Sequence, residues 1–184
     1  LLVRLIIPVL TGQRNVREAI KLFHETNDRN IECAYHALVH YEADEDIRQK
    51  SADHVQIQDE YLAEAVRDKG ITHIADLIPV KDGIYLWQGD ITTLKCDAIV
   101  NAANSQMMGC YIPMHNCIDN CIHTYAGVQL RAECSRKMNS LRLRFGDYYE
   151  QPTAVPMLTD AYNLPARKII HIVGPIVEGR LTKA

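Results

Sequence analysis

The stretch Ala98-Ile99-Val100-Asn101-Ala102-Ala103-Asn104, followed by Gly109-Cys110-Tyr111-Ile112-Pro113-Met114-His115-Asn116-Cys117-Ile118-Asp119-Asn120, decides the fold. Its first residues are too apolar to alternate, so they read as a strand buried on both faces. Two asparagines and a glycine- and proline-containing segment then read as a loop. From Ile118 to Met138 the apolar residues Ile118, Ile122, Tyr125, Leu130, Cys134 and Met138 recur at helical spacing, which predicts one helix. Outward from this unit, Ile84-Tyr85-Leu86-Trp87 reads as an earlier strand, and Ile169 to Val173 as a later one. Thr153 to Leu158 is a further strand, weakened by Pro156. Asn139 to Tyr149 reads as a variable loop. Strands alternating with a long helix predict a mixed α/β sheet with helices on its faces.

Residues 1–80 read differently. Val16, Ala19, Ile20 and Phe23 predict a helix within Asn15 to Glu25, and Ile31 to Tyr41 is a second candidate. Asp59 to Lys69 is a third, with Tyr61, Leu62 and Ala65 apolar and Gly70 suited to end it. Glu42 to Asp59 is acidic and polar and reads as a loop with a short helix at most. Residues 1–80 carry 9 Lys and Arg against 14 Asp and Glu, whereas residues 81–184 carry 11 against 9. The chain therefore divides into a helical N-terminal extension, 1–80, and an α/β unit, 81–184.

Composition excludes several classes. The formal net charge of −3 comes with no basic run, which argues against a nucleic-acid binder that depends on counterion release. No run of 18 apolar residues exists, so no membrane span is expected. Leu1 to Leu10 resembles the apolar part of a secretory signal. Arg4 interrupts it, and neither a basic region before it nor a small-residue cleavage site after it completes the pattern. Six cysteines are too sparse for a disulfide scaffold. The chain has no G-x-S-x-G, no Walker loop and no G-x-G-x-x-G.

Cys110, His115 and Cys117 form C-x4-H-x-C ahead of a helix. Two thiolates and an imidazole suit Zn²⁺, and three ligands with an open position is the catalytic pattern. Cys121, one helical turn past Cys117, is a possible fourth ligand or a core residue. Buried cysteines beside an incidental histidine remain the plain alternative. Asp119 is either a carboxylate stabilised at a helix N-terminus or, beside an open metal position, a general base. Asn101 and Asn104 end a strand where α/β folds bind ligands, though asparagine is also an ordinary turn residue. Asp90 either starts a turn after Gly89 or accepts from a ligand amine. His36 and His40, four apart, have a spacing that can hold metal, but with no partner carboxylate they read as a partly buried helix face, and His171, between Ile170 and Ile172, reads as a satisfied core histidine. Cys33, Cys96 and Cys134 read as small hydrophobes.

Taken in order, Gly89-Asp90-Ile91-Thr92, Asn101-Ala102-Ala103-Asn104, the Cys110/His115/Cys117 loop with Asp119-Asn120, Ala126-Gly127, Tyr162-Asn163-Leu164-Pro165 and His171 to Pro175 resemble a macrodomain, the ADP-ribose-binding α/β module. They are most similar to its zinc-dependent branch, in which a cysteine/histidine loop replaces a glycine-rich one. The resemblance covers about residues 84–177, and the stretch 1–80 also resembles that branch's extension, including Gly70 to Pro79. It implies a three-layer α/β/α sandwich and a hydrolase that removes mono-ADP-ribose from modified proteins, from Asp or Glu side chains. It implies Zn²⁺ on Cys110, His115 and Cys117, with Asp119 and Asn104 as catalytic residues. Asp90 and Ile91 would take the adenine, and Asn101 and Asn104 the distal ribose. ADP-ribose or an ADP-ribosylated protein is then the expected partner, and a zinc-bound thiol pair favours a reducing cytoplasm.

Departures from that family are also legible. A complete member continues past Val173-Gly174-Pro175 to a second glycine-rich loop, whereas here Gly179 is the only glycine after Pro175. The expectation is a C-terminally truncated domain with an exposed strand edge and half a ligand cleft. Ala154 stands where the family usually has glycine, and Pro156 where a small residue is usual. The competing expectations are an ADP-ribose reader without catalysis and an inactive remnant.

Overall fold

The computed structural model describes residues 52–112, 115–175 and 179. The helices expected within Asn15–Glu25 and Ile31–Tyr41, the apolar start Leu1–Leu10, Cys33 and the pair His36/His40 lie outside these residues. Helix α1 (Ala52–Lys69) begins inside the stretch read as a loop. Its polar residues belong to a solvated face. Gln58, Leu62 and Val66, spaced one turn apart, form the buried stripe. Gly70 ends it in a left-handed conformation (φ +80°), its N–H donating to the Arg67 carbonyl at 3.1 Å.

Short elements follow. β1 (Thr72–His73) precedes an exposed antiparallel hairpin of β2 (Pro79–Lys81) and β3 (Ile84–Tyr85). The strand expected over Ile84 to Trp87 is thus only two residues long and outside the main sheet, because its partner is a three-residue arm whose Pro79 has no N–H to donate. This hairpin straddles residue 80. β4 (Leu94–Lys95) pairs in parallel with β1 and ties the segment after α1 to the body.

The main sheet contains β5 (Ala98–Ala103), β6 (Met157–Asp160) and β7 (Lys168–Val173) in the order β5–β7–β6. β5 and β7 are parallel, with Asn101 opposite His171. β6 is antiparallel to β7. Ile99 and Asn101 face inward, but Val100 is 54% exposed and Leu158 on β6 is 52% exposed. The strand expected to be buried on both faces is buried on one. Among the described residues, the helices cover a single face of this sheet.

That cover is two helices, α2 (Ile118–Ala126) and α3 (Val128–Phe145), rather than the one expected. The chain turns between them at Gly127 (φ +92°). The apolar stripe survives the break: Ile122, Leu130, Cys134 and Met138 are fully buried against Ile99, Met157 and Ile169. α3 continues through most of the stretch read as a variable loop, because Asn139 to Phe145 is a solvated helix end rather than a breaker. It stops at Gly146.

β6 begins directly after Pro156, where a missing N–H no longer interrupts a ladder. Before it, Ala154 donates its N–H to the Val173 carbonyl at 3.0 Å and holds φ +62°. An alanine there is strained, which explains why glycine suits the position. Ala154→Gly is expected to stabilise the protein by roughly 1 kcal/mol, the left-handed penalty less the entropy glycine adds to the unfolded chain. A rise in the urea midpoint with unchanged m-value checks it.

Candidate metal centre and its buried support

β5 and β7 run parallel and end side by side at Ala103 and Val173. The loop carrying the cysteines leaves from this carboxyl edge, where α/β sheets place their ligands. Asn104 shapes its first turn: Oδ1 accepts from Gln106 N at 3.1 Å, Nδ2 donates to the Gly109 carbonyl at 3.1 Å, and its own carbonyl accepts from Met107 N at 3.0 Å. The turn chemistry is therefore present, and the exposed side chain keeps a second amide hydrogen. Met107 and Met108 drop into the core below. Gly109 sits at φ +79°, and a Cβ there would fall 2.7 Å from the His123 ring, so both conformation and space require glycine.

Arg131 of α3 forms the floor. It is 2% exposed, donates Nε to the Met108 carbonyl at 3.0 Å, and lies with its guanidinium 4.4 Å from the centre of the Tyr111 ring. The loop is thus held from beneath by a buried cation.

On this floor Cys110, His115 and Cys117 converge, their ligating atoms all within 4.8 Å of one another. Cys110 Sγ is 3.4 Å from His115 Nδ1. Cys117 is also the N-cap of α2, its sulfur accepting from Asn120 N at 3.3 Å. Asn120 Nδ2 donates to the Ile112 carbonyl at 2.8 Å, which draws the two ends of the loop together. His115 is exposed and both cysteines are half-buried, so the cluster opens to solvent. Burial pushes the Cys117 thiol up, opposed by the Asn120 N–H. A soft divalent ion would reverse that preference by taking the thiolate. Two sulfurs and an imidazole at this separation fit tetrahedral zinc with an open position. Cys121 is not one of the three.

Asp119 points inward. It is 5% exposed, accepts from Asn101 Nδ2 at 2.7 Å, and lies 3.6 Å from His123 Nε2. Desolvation pushes its carboxyl up, while Asn101 and the Arg131 charge oppose the shift. Asn101 does not line the cleft as expected. It is fully buried and spends both amide hydrogens, one on Asp119 and one on His171 Nδ1 at 3.0 Å. Its strand position opposite His171, on the inward face, is what turns it into the core. His171 is the satisfied core histidine expected. Since Nδ1 accepts from Asn101, Nε2 carries the hydrogen, donated to Thr159 Oγ1 at 2.9 Å. Cys134 is fully buried, and burial pushes its thiol up to about 12, whereas Cys96 is only half-buried. His123, Cys134 and His171 also lie within 4.8 Å of one another. A metal there would have to displace two hydrogen bonds of His171 and ionise that thiol, so this group is a polar core and not a metal centre.

Asp90 caps the 3-10 turn Ile91–Thr93. Its Oδ1 accepts from Thr92 N and Thr92 Oγ1 at 2.9 and 2.6 Å, and its Oδ2 from Lys69 Nζ at 2.9 Å. Burial pushes this carboxyl up, but the Thr92 and Lys69 contacts outweigh it and hold the carboxyl low. Ile91 is half-buried against the core. Sequence reading missed three residues here: Lys69, His123 and Arg131. An arginine in a polar helix and a lysine before a helix-ending glycine look like surface residues, and only the tertiary arrangement reveals their partners.

Residues 100–184 match the family model described as "Macro domain". The described residues themselves form a mixed α/β architecture. Among curated relatives, the protein-ADP-ribose hydrolase of Treponema medium is 53% identical over 136 residues, covering 72% of this chain and 50% of that protein. The protein-ADP-ribose hydrolase of Staphylococcus aureus (strain MSSA476) is 47% identical over 126 residues, covering 68% and 45%. The chain thus spans about half the length of the curated relatives it matches. A solved structure of the Trypanosoma brucei macrodomain in complex with ADP-ribose is 34% identical, with a TM-score of 0.44 over 57% of this chain and 41% of that one.

Two outcomes test this centre. Burial, partly offset by the Glu133 charge, lowers the His171 pKa from the ordinary 6.5 to about 4. The unfolded chain then binds the proton that the folded chain refuses. His171's contribution to stability is whole above pH 6.5 and is lost as pH falls to about 4, by roughly 3 kcal/mol at most. Imidazole ¹⁵N shifts at pH 5 should still show the neutral Nε2–H form. Gly109→Ala should destabilise by roughly 2–4 kcal/mol, from the left-handed penalty plus the clash with His123, as read by chemical denaturation.

Proposed function

We propose that this chain is part of a hydrolase that removes mono-ADP-ribose from proteins modified on Asp or Glu side chains, using a zinc ion held by Cys110, His115 and Cys117. The observation that carries the reading is the convergence of those three ligating atoms at the head of α2, on the carboxyl edge of the sheet. The similarity to protein-ADP-ribose hydrolases supports the substrate class. A reader without catalysis would need no open metal position.

Bound zinc supplies a Lewis acid at this edge. The protein's own groups supply orientation. Asp90 accepts from the adenine amine, with Ile91 against the ring. The free amide hydrogen of Asn104 holds the distal ribose. Asp119 acts from beneath: buried and held by Asn101, it fixes the head of α2 from which Cys117 reaches the ion. Hydrolysis breaks the bond between the anomeric carbon and the carboxylate oxygen. Water gives its hydroxyl to the carbon and its proton to the acid. The ADP portion, remote from that bond, contributes binding energy that holds it in place. The partner in this reading is an ADP-ribosylated protein, and a pair of reduced thiols as ligands favours a reducing cytoplasm. No helix among the described residues is long and apolar enough to cross a membrane.

Incubating the intact protein with an ADP-ribosylated acidic peptide tests the reading. Release of ADP-ribose should fall at least about 100-fold on chelation and in Cys117→Ala, with zinc content falling in parallel. Activity that survives both would remove zinc from the mechanism.

A further inference from the structure

α1 grips the rest of the protein at both ends. At its first half, Gln58 Oε1 accepts from Val128 N at 3.0 Å and Gln58 Nε2 donates to Gln129 Oε1 at 2.7 Å. Val128 begins α3, and Gly127 before it has no side chain to cap that helix, so Gln58 takes the role from 70 residues away. Asp59 accepts from Gln129 Nε2 and from Asn163 Nδ2, both at 2.8 Å, and Asn163 Nδ2 also reaches the Ala126 carbonyl at 3.0 Å.

At the other end, the last residue of α1 reaches Asp90. Lys69 Nζ lies 2.9 Å from Asp90 Oδ2, 3.4 Å from Thr92 Oγ1 and 3.1 Å from the centre of the Tyr125 ring. The left-handed Gly70 and the β1–β4 pairing hold Lys69 there, and Thr72 Oγ1 lies 3.3 Å from Thr93 Oγ1 across the pairing. Asp90 is therefore fixed by three hydrogen bonds, two from Thr92 on Oδ1 and one from Lys69 on Oδ2. A carboxylate oxygen accepts two, so one acceptor direction of Oδ2 remains. The side chain is 45% exposed, leaving that direction accessible.

We infer that Lys69 is a positioning residue for the base end of the ligand: it sets Asp90 as an ionised acceptor with one direction of Oδ2 open to the exocyclic amine of a purine. This makes α1 part of the ligand site. The inference rests on the assignment of Asp90 to the adenine. It also predicts base selectivity, because hypoxanthine presents a carbonyl where adenine presents its amine, and two acceptors would then face each other.

Lys69→Met removes the charge at similar side-chain length, and with it the bond to Asp90 and the ammonium–ring contact with Tyr125, and Lys69→Arg restores a charged donor. Two measurements in the intact protein separate the contact from the ligand. The first is the Asp90 carboxyl titration by ¹³C NMR without ligand. The second is calorimetry with ADP-ribose and with its inosine analogue. Lys69→Met should raise the Asp90 midpoint and weaken ADP-ribose about tenfold, with a smaller loss for the inosine analogue. Lys69→Arg should recover both, and in turnover the loss should fall on KM rather than kcat. An unmoved midpoint would make the pair an ordinary surface contact and overturn the inference. A raised midpoint with unchanged or tighter ADP-ribose binding would show that Lys69 competes with the base, which also overturns it. An unaltered protein that binds neither nucleotide overturns the assignment of Asp90, and with it the ligand half of the inference, while the midpoint shift separately reports the contact.

Discussion

One amide group on Asn101 joins the sheet to the helices. Its two hydrogens go to Asp119 on α2 and His171 on β7, and His171 passes the connection to Thr159 on β6. A buried carboxylate and a buried imidazole each cost several kcal/mol unless partnered, so these bonds must all be made together. A one-residue slip of β5 against β7 would turn Asn101 to the outer face and leave Asp119 without its donor. Strand pairing, the rotational setting of α2 and the tautomer of His171 are thus a single constraint. Cys117 caps α2, so the position of the cysteine loop is set by that same constraint.

The second organising feature is α1, which closes the α2–α3 junction with Gln58 and Asp59 and reaches the Asp90 turn with Lys69. The bonds at the junction span about 70 residues of sequence and are polar side-chain contacts at the rim of the helix pair. They act at Gly127, which has no side chain to cap α3 and whose missing Cβ leaves room for Gln58, Gln129 and Asn163. The body and the described part of the extension consequently share hydrogen bonds that neither could satisfy alone.

The parts of this structure that depend on local chemistry were legible in the sequence. β7 was evident from its apolar run, the end of α1 from Gly70, and the cluster from three sulfur and nitrogen ligands in one loop. His171 read as a core residue because two isoleucines flank it. The errors come from tertiary context. Helical spacing continues in phase across Gly127, so periodicity could not show the break. The apolar composition of β5 does not say whether one face or two are covered. Asn101 and Asn104 look alike in sequence, yet the pleat of β5 sends Asn101 into the core, while Asn104, past the strand's end, sits exposed in a turn. Arg131 and Lys69 find partners distant in sequence, and nothing in their neighbours announces it.

The floor beneath the cysteine loop has a thermodynamic consequence. Asn104, Gly109, Arg131 and Asn120 pin the described parts of the loop from four directions. Ordering each backbone residue costs about 1–2 kcal/mol of entropy, and here that cost is met during folding by bonds that are independent of the ligands. An arriving ion would find its sulfurs and imidazole already gathered. The free energy of coordination, were an ion taken there, would appear as affinity instead of being absorbed by ordering the loop.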